Sequence, residues 1–210
     1  MQEKERNRHI DYTALKAYTT WEEIKHLCEE AICSGMATVC IPSSYVKRVS
    51  EIFGEKLNVC TVIGFPLGNA STEAKVAETK QAVADGADEI DMVINIGEVK
   101  NGNYGFVQEE IRKIRNEATG RILKVIIETC YLSEEEKIRM AQIVTEVKAD
   151  YIKTSTGFGT DGAKLEDIRL LKKHLGTGVK IKASGGIRTV EALEAFLNEG
   201  CDRIGASTMF

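Results

Sequence analysis

Short, nearly continuous apolar runs alternate along the chain with longer charged segments of helical periodicity. An apolar run without polar alternation is typical of a strand buried on both faces, as in a parallel sheet. Seven such runs are clear, and a shorter eighth precedes the first long helix. They are Ala37–Ile41, Val59–Gly64, Glu89–Asn95, Ile122–Glu128, Tyr151–Ser155, Val179–Ser184 and Arg203–Ser207, with His9–Thr13 as the eighth. The pattern therefore predicts eight parallel strands.

Helices are predicted between these strands. The segments with the best helical pattern are Trp21–Ser34, Thr72–Ala84, Ser133–Val147, Leu165–Leu175 and Val190–Asn198. Ser133 is followed three residues later by Glu136, which is the composition of a capping box. Gly176 and Gly200 follow the last two helical segments, and we expect these helices to stop there.

Alternating strands and helices predict an α/β fold with crossover connections. Eight units in 210 residues average about 26 residues each, which is compact for a (β/α)8 TIM barrel. A doubly wound open sheet is the alternative, but no GxGxxG fingerprint follows the first strand. No linker or shift of composition divides the chain. We therefore expect one (β/α)8 barrel domain over residues 1–210.

Composition excludes several classes of function. The chain has 28 basic and 32 acidic side chains, so it lacks the basic excess that nucleic-acid binding requires. The first residues have no apolar signal segment, and no apolar stretch is long enough to span a membrane. Six cysteines without a CxxC pair and three scattered histidines indicate reduced thiols and no metal site. We expect a soluble cytoplasmic protein without cofactor.

Two lysines within apolar strands are the first candidates for chemistry. Lys153 lies in YIKTS and Lys182 in the next strand, VKIKAS. Like charges on adjacent inner strand faces oppose each other's protonation, and burial acts in the same direction, which leaves one amine neutral and nucleophilic. Lys180 shares the inward parity of Lys182, but it is farther from the C-terminal mouth where barrel active sites lie. The alternative for Lys153 is a lysine at the rim or facing a helix.

Asp91 is a carboxylate in the middle of the buried strand EIDMVIN. An unpaired charge there is very unfavourable, so we expect a lysine partner across the barrel. Asp91 is a candidate for proton transfer to and from the substrate. A purely structural Asp–Lys pair is the alternative.

Glycine-rich turns follow the last three strands: STGFGTDG after Lys153, SGGIRT after Lys182, and GAST at the end. Glycines let backbone N–H groups approach an anion, and SGGIRT opens onto a helix N-terminus, which favours negative charge. Barrels commonly bind phosphate at this place. Ordinary turns are the alternative. Cys40 and Glu128 end two other strands and are expected to line the pocket or to pack, without a catalytic role.

Six blocks in this order resemble the deoxyribose-phosphate aldolase family over nearly the whole chain. They are VCIP at 39–42, CTVIGFPLG at 60–68, EIDMVIN at 89–95, KVIIETC at 124–130, KTSTGF at 153–158 and KASGGIRT at 182–189. The first block departs from the family's usual IDHTLLKP, because Tyr12 replaces histidine and Ala17 replaces proline, whereas Asp11 is retained.

This resemblance implies reversible cleavage of 2-deoxy-D-ribose 5-phosphate to acetaldehyde and D-glyceraldehyde 3-phosphate, without metal or organic cofactor. It implies that Lys153 forms the Schiff base, that Lys182 tunes the reactive amine, and that Asp91 transfers protons. The expected phosphate-binding residues are Gly157, Ser184, Gly185, Gly186 and Ser207. A homodimer or homotetramer is implied as well. The alternatives are another lysine-imine aldolase, transaldolase-like or specific for keto acids, and a non-catalytic barrel that binds sugar phosphates.

Overall fold

The computed structural model describes residues 1–209, in which eight parallel strands close into a barrel in chain order. The strands are β1 (Ile10–Thr13), β2 (Thr38–Ile41), β3 (Val59–Ile63), β4 (Glu89–Val93), β5 (Ile122–Ile126), β6 (Tyr151–Lys153), β7 (Lys180–Ser184) and β8 (Arg203–Ala206). Each strand pairs with its neighbours in sequence, and β8 pairs with β1. The predicted barrel is confirmed, and the open sheet is wrong.

Helices connect the strands on the outside of the barrel. They are α1 (Glu3–Asn7), α2 (Trp21–Ser34), α3 (Val46–Phe53), α4 (Thr72–Ala84), α5 (Ile96–Lys100), α6 (Tyr104–Glu117), α7 (Glu134–Glu146), α8 (Leu165–His174) and α9 (Val190–Glu199). The five predicted helices are confirmed to within one residue at each end. The predicted capping box is also present, because the Ser133 side chain accepts from the Glu136 N–H and the Glu136 side chain accepts from the Ser133 N–H.

Two helices with clear places in the barrel, α3 and α6, were not predicted individually. Neither has a side-chain cap at its first turn, where Tyr45 and Asn103 stand at the N-cap positions. The side-chain caps that mark the starts of α2, α4, α7 and α9 are therefore missing at these two helices. Gly200 ends α9 in the left-handed conformation, as expected, whereas α8 ends at His174 with Leu175 as its C-cap, ahead of Gly176.

Five of the eight strands, β3, β4, β5, β6 and β8, end one or two residues earlier than the apolar runs predict. Asn95 lies beyond β4 and caps α5, accepting a hydrogen bond from the Glu98 N–H at 3.2 Å. Glu128 lies beyond β5 in the left-handed region, with φ 52°. In both cases, the residues after the strand serve the loop at the C-terminal mouth rather than the sheet.

The fold has two buried layers, one between the strands and the helices and one inside the ring of strands. A continuous apolar layer, including Ile90, Val125 and Ile152, fills the space between the strands and the helices. Inside the strands, the apolar cluster is small, with Cys40, Cys60 and Val62 as its buried members. The rest of the inner volume is occupied by charged side chains. All six cysteines are free, and none of the helices within residues 1–209 has the length and apolar character needed to cross a membrane.

The capping box of α7 gives a test of the local fold. Ser133→Ala removes the side-chain acceptor of the Glu136 N–H, and we expect a loss of about 1 kcal/mol in the free energy of unfolding. Ser133→Asp is the matched control and should keep most of that stability, because aspartate caps helices equally well. Urea unfolding followed by circular dichroism measures both. Equal stability of Ser133→Ala and the unchanged protein would contradict the assignment.

Candidate active site

Asp91 lies at the centre of the barrel, and its side chain is fully buried. Its Oδ2 accepts hydrogen bonds from Lys153 Nζ and Lys182 Nζ, each at 2.7 Å. Its Oδ1 accepts from Lys124 Nζ at 2.7 Å and from Cys60 Sγ at 3.2 Å. One carboxylate therefore contacts three lysine amino groups, two of which were predicted from the sequence.

Strand register explains why these side chains meet. Asp91 on β4 stands opposite Lys124 on β5, and Lys153 on β6 stands opposite Lys182 on β7. Because side chains alternate between the faces of a strand, register partners point to the same face. That face is the barrel interior, where all four side chains are buried. Lys180 is exposed and stands opposite Tyr151, so its expected place away from the mouth is confirmed.

A second level of charge lies beneath Asp91. Lys182 Nζ also donates to Asp11 Oδ2. Lys124 Nζ lies 2.5 Å from Glu89 Oε2. Arg203 closes the level, with nitrogen–oxygen distances of 2.5 Å to Asp11 and 3.0 Å to Glu89. Lys153 takes no part in this lower level.

The pKa values follow from these contacts. Burial alone would raise the pKa of Asp91, but Lys124, Lys153 and Lys182 outweigh it and hold that pKa well below its ordinary value. Burial alone would lower the pKa of Lys182, but Asp11 and Asp91 outweigh it and raise that pKa. The same balance raises the pKa of Lys124. Two carboxylates therefore stabilise the charged form of Lys182.

A cavity of about 630 Å³ opens above this network. Lys153 reaches it, whereas Asp91, Lys124 and Lys182 lie below its floor. The five predicted phosphate-binding residues all line it: Gly157, Ser184, Gly185, Gly186 and Ser207. The cavity thus brings the predicted nucleophile and the predicted phosphate loops into one space.

The glycine loops have the conformations that anion binding needs. Gly157, Gly185 and Gly186 have φ of 85°, 85° and 81°, a region that side chains rarely adopt. Ser184 differs from the prediction in one respect, because its hydroxyl donates to the Ser155 carbonyl oxygen at 2.5 Å. Its hydrogen is therefore engaged inside the protein. Arg188 lines the cavity from the SGGIRT turn and adds a cation that the sequence reasoning left unassigned.

Lys124 is the functional residue that the sequence reasoning missed most clearly. It lies in the apolar run ILKVIIE, and a lysine inside a buried strand is the same signal that identified Lys153. Its partner contacts with Glu89 and Asp91 place it beside the other two lysines. The apolar residues on both sides of Lys124 therefore mark it in the same way as Lys153.

Cys40 and Glu128 are both buried but have different surroundings. Cys40 is fully buried and packs with Cys60 inside the barrel, which favours the expected packing role. Glu128 is also buried, and its carboxylate accepts hydrogen bonds from the loop after β6. Glu128 is therefore more than a filler of the barrel top.

Two clusters inside the barrel have ligand atoms close enough for a metal ion: Cys40, Cys60 and Asp91, and Asp11, Cys60 and Glu89. Both oxygens of Asp91 are already occupied by ammonium groups. Glu89 and Asp11 are likewise paired with Lys124 and Arg203. A metal cation would have to enter beside these positive charges. The carboxylates are therefore better suited to their ion pairs with lysine and arginine side chains than to a metal ion.

Comparisons with known proteins agree with this geometry. The family described as DeoC/LacD family aldolase matches residues 4–209. A deoxyribose-phosphate aldolase of Clostridium botulinum (strain Alaska E43 / Type E3) is 62% identical over 200 residues, which are 95% of this chain and 90% of that protein.

Solved structures are similar as well. A structure titled "QR15, an Aldolase" has a TM-score of 0.92 and 43% identity, and the match covers 96% of this chain and 90% of that one. A deoxyribose phosphate aldolase from Aeropyrum pernix, described as a unique tetrameric structure, has a TM-score of 0.89 and 28% identity, with 98% of this chain and 88% of that one covered. This chain therefore belongs to the DeoC/LacD family of aldolases.

Proposed function

We propose that this aldolase reversibly cleaves 2-deoxy-D-ribose 5-phosphate to acetaldehyde and D-glyceraldehyde 3-phosphate through a Schiff base at Lys153. One observation carries the assignment of the nucleophile. Of the three lysines on Asp91, only Lys153 lines the cavity, whereas Lys124 and Lys182 are fully buried below it. Lys16 also lines the cavity but is exposed, so Lys153 is the one buried amine that a carbonyl compound meets there.

The charge balance of the barrel supports a reactive amine at this place. Asp11, Glu89 and Asp91 provide three negative charges, and Lys124, Lys182 and Arg203 provide three positive charges. A charged Lys153 would be a fourth cation with no fourth anion. A neutral amine, which imine formation requires, leaves the network balanced.

The reaction begins when the Lys153 amine attacks C1 of the open-chain sugar phosphate. The carbinolamine loses water and becomes a protonated imine, which accepts electrons. A base removes the proton of the C3 hydroxyl, the C2–C3 bond breaks, and its electron pair forms the enamine while C3 becomes the aldehyde of glyceraldehyde 3-phosphate. Protonation of the enamine at C2 and hydrolysis then release acetaldehyde and the free amine.

Asp91 is the base and acid that we assign to these steps. It contacts Lys153 at 2.7 Å but lies beneath the cavity floor, so a water molecule must relay the proton between Asp91 and the C3 oxygen. Lys182 holds Asp91 in place from the opposite side, at 2.7 Å. Its fixed positive charge also opposes a second charge on its register partner, Lys153.

The phosphate group fits the other end of the cavity. The backbone N–H groups of Gly157, Gly185 and Gly186, together with Ser207, are the ligands that we propose, and the N-terminus of α9 lies just beyond this loop. The names of the relatives favour this substrate over those of a transaldolase-like or keto-acid aldolase. Retention of Lys153, Lys182 and Asp91 in one network speaks against a barrel that only binds.

Assembly and location are also proposals. We expect a homodimer or homotetramer, supported by the tetrameric relative from Aeropyrum pernix. We expect the enzyme to act in the cytoplasm, a reducing compartment that suits its six free cysteines.

Replacement of Lys153 tests the proposed function. Lys153→Met should abolish the release of glyceraldehyde 3-phosphate, measured with a coupled dehydrogenase, because the other lysine of the cavity, Lys16, is exposed and has no contact with Asp91. It should also abolish the adduct formed with acetaldehyde and borohydride, measured by intact mass. Lys180→Met is the matched control at an exposed strand lysine and should change neither result. An adduct that survives in Lys153→Met would refute the assignment.

Replacement of Asp91 separates proton transfer from imine formation. Asp91→Asn keeps the shape of the side chain and should lower kcat by about 10²–10⁴-fold, while acetaldehyde still forms a reducible adduct. The double variant Asp91→Asn/Lys124→Met removes one charge of each sign, so it shows whether any loss of folding comes from charge imbalance alone. Turnover within tenfold of the unchanged enzyme, about 1.4 kcal/mol in barrier height, would exclude Asp91 from proton transfer.

A further inference from the structure

Glu128 follows β5 at the mouth of the barrel and has a backbone conformation that is uncommon for a non-glycine residue. It is a non-glycine residue with φ 52° and ψ 69°, and it is almost completely buried. The Tyr131 N–H donates to its carbonyl oxygen at 3.0 Å, and the neighbouring Thr129 N–H donates to the Thr154 carbonyl oxygen at 2.9 Å. These bonds fix an uncommon backbone and direct the side chain toward the loop after β6.

The carboxylate of Glu128 binds one residue of that loop three times. The Thr156 N–H lies 3.2 Å from Oε1 and 3.3 Å from Oε2, and the Thr156 hydroxyl donates to Oε2. The same hydroxyl oxygen accepts a hydrogen bond from the Phe158 N–H at 3.0 Å. Glu128 thereby sets the path of the chain on both sides of Gly157.

The loop held by Glu128 supports the second glycine loop. Gly162 packs so closely on the Gly185 carbonyl that a side chain at 162 would collide with it. A side chain at Gly185 would in turn meet the Cα atoms of Gly162 and Gly157 at 3.0 and 3.5 Å. The Ala163 N–H donates to the carbonyl oxygens of Ser184 and Gly185, both at 3.1 Å. A displacement of Thr156 therefore reaches the residues proposed to hold the phosphate.

Glu128 has no partner that would explain it as half of an ion pair. Within residues 1–209, no lysine or arginine nitrogen lies within 4.0 Å of its carboxylate. Burial raises the pKa of Glu128 above its ordinary value, although the hydrogen bonds from Thr156 and, to a smaller extent, the charge of Lys153 act in the opposite direction. A buried carboxylate is costly, and its polar contacts are concentrated on the loop.

We infer that Glu128 is a positioning residue for the phosphate end of the substrate. It holds Thr156, and through Gly157 and Gly162 the Gly185–Gly186 turn, in the geometry that binds a phosphate ester. It has no part in the formation of the imine at Lys153. This inference rests on the proposed function, because it assumes that the two glycine loops bind the substrate's phosphate.

The test compares substrate and phosphate affinity, which depend on the phosphate site, with borohydride trapping of acetaldehyde, which does not. In Glu128→Ala, the KM for 2-deoxyribose 5-phosphate and the inhibition constant of inorganic phosphate should each rise about tenfold, since small displacements of binding groups are costly. The rate of borohydride trapping with acetaldehyde, which carries no phosphate, should stay within about twofold. If Glu128 only stabilised the fold, phosphate affinity and the rate of trapping would both fall.

Matched variants sharpen this result. Glu128→Gln keeps an oxygen acceptor for the Thr156 N–H and should restore phosphate affinity to within about threefold of the unchanged enzyme. Glu55→Ala removes an exposed carboxylate away from the cavity and should leave both measurements unchanged. Thr156→Val, which removes only the hydroxyl, should raise the KM by an intermediate factor, and it carries the test alone if Glu128→Ala does not fold.

The outcomes separate this inference from the proposed function. If the unchanged enzyme neither cleaves 2-deoxyribose 5-phosphate nor forms the acetaldehyde adduct, the proposed function fails. If the unchanged enzyme does both, and the variants of Glu128 and Thr156 lose trapping and phosphate affinity equally or lose neither, only the role of Glu128 is overturned. A selective loss of phosphate affinity supports it.

Discussion

Both oxygens of Asp91 accept hydrogen bonds from lysine amino groups at a fully buried position inside the barrel. The barrel interior is usually filled by branched apolar side chains, but here one carboxylate on β4 gathers lysines from β5, β6 and β7. Removal of that carboxylate would leave uncompensated buried cations, a change that typically destabilises a protein by about 3–5 kcal/mol. The same contacts that make the charged interior tolerable also fix the distance between Asp91 and the reactive amine.

The network assigns different tasks to chemically identical side chains. Lys124 is paired with three carboxylates and Lys182 with two, and these anions raise the pKa values of both lysines, so both remain charged. Lys153 touches Asp91 alone and has the cavity on its other side. Position, rather than residue type, therefore selects the nucleophile. The glycine loops above it bind the distant end of the substrate, and Glu128 links those loops to the strand that carries Lys124.

Much of this arrangement could be predicted from the sequence because burial makes charge conspicuous. Lys153, Asp91 and Lys182 each interrupt an apolar strand, and the alternation of side chains brings them to one face. The same logic would have revealed Lys124. Glu128 was not predictable, because its role depends on a left-handed backbone and on contacts with Thr156, 28 positions away. Helices α3 and α6 were not predicted individually, and neither has a side-chain cap at its first turn.

The central claim, that the network exposes one amine of three to the substrate, is tested most directly by mapping the reduced acetaldehyde adduct in the unchanged protein. Proteolysis and mass spectrometry after borohydride reduction assign the adduct to a peptide. Lys124, Lys153 and Lys182 are far enough apart in the chain for each to be resolved. We expect the adduct on the peptide that contains Lys153 and on neither of the peptides that contain Lys124 or Lys182. An adduct on Lys124 or Lys182 would contradict it.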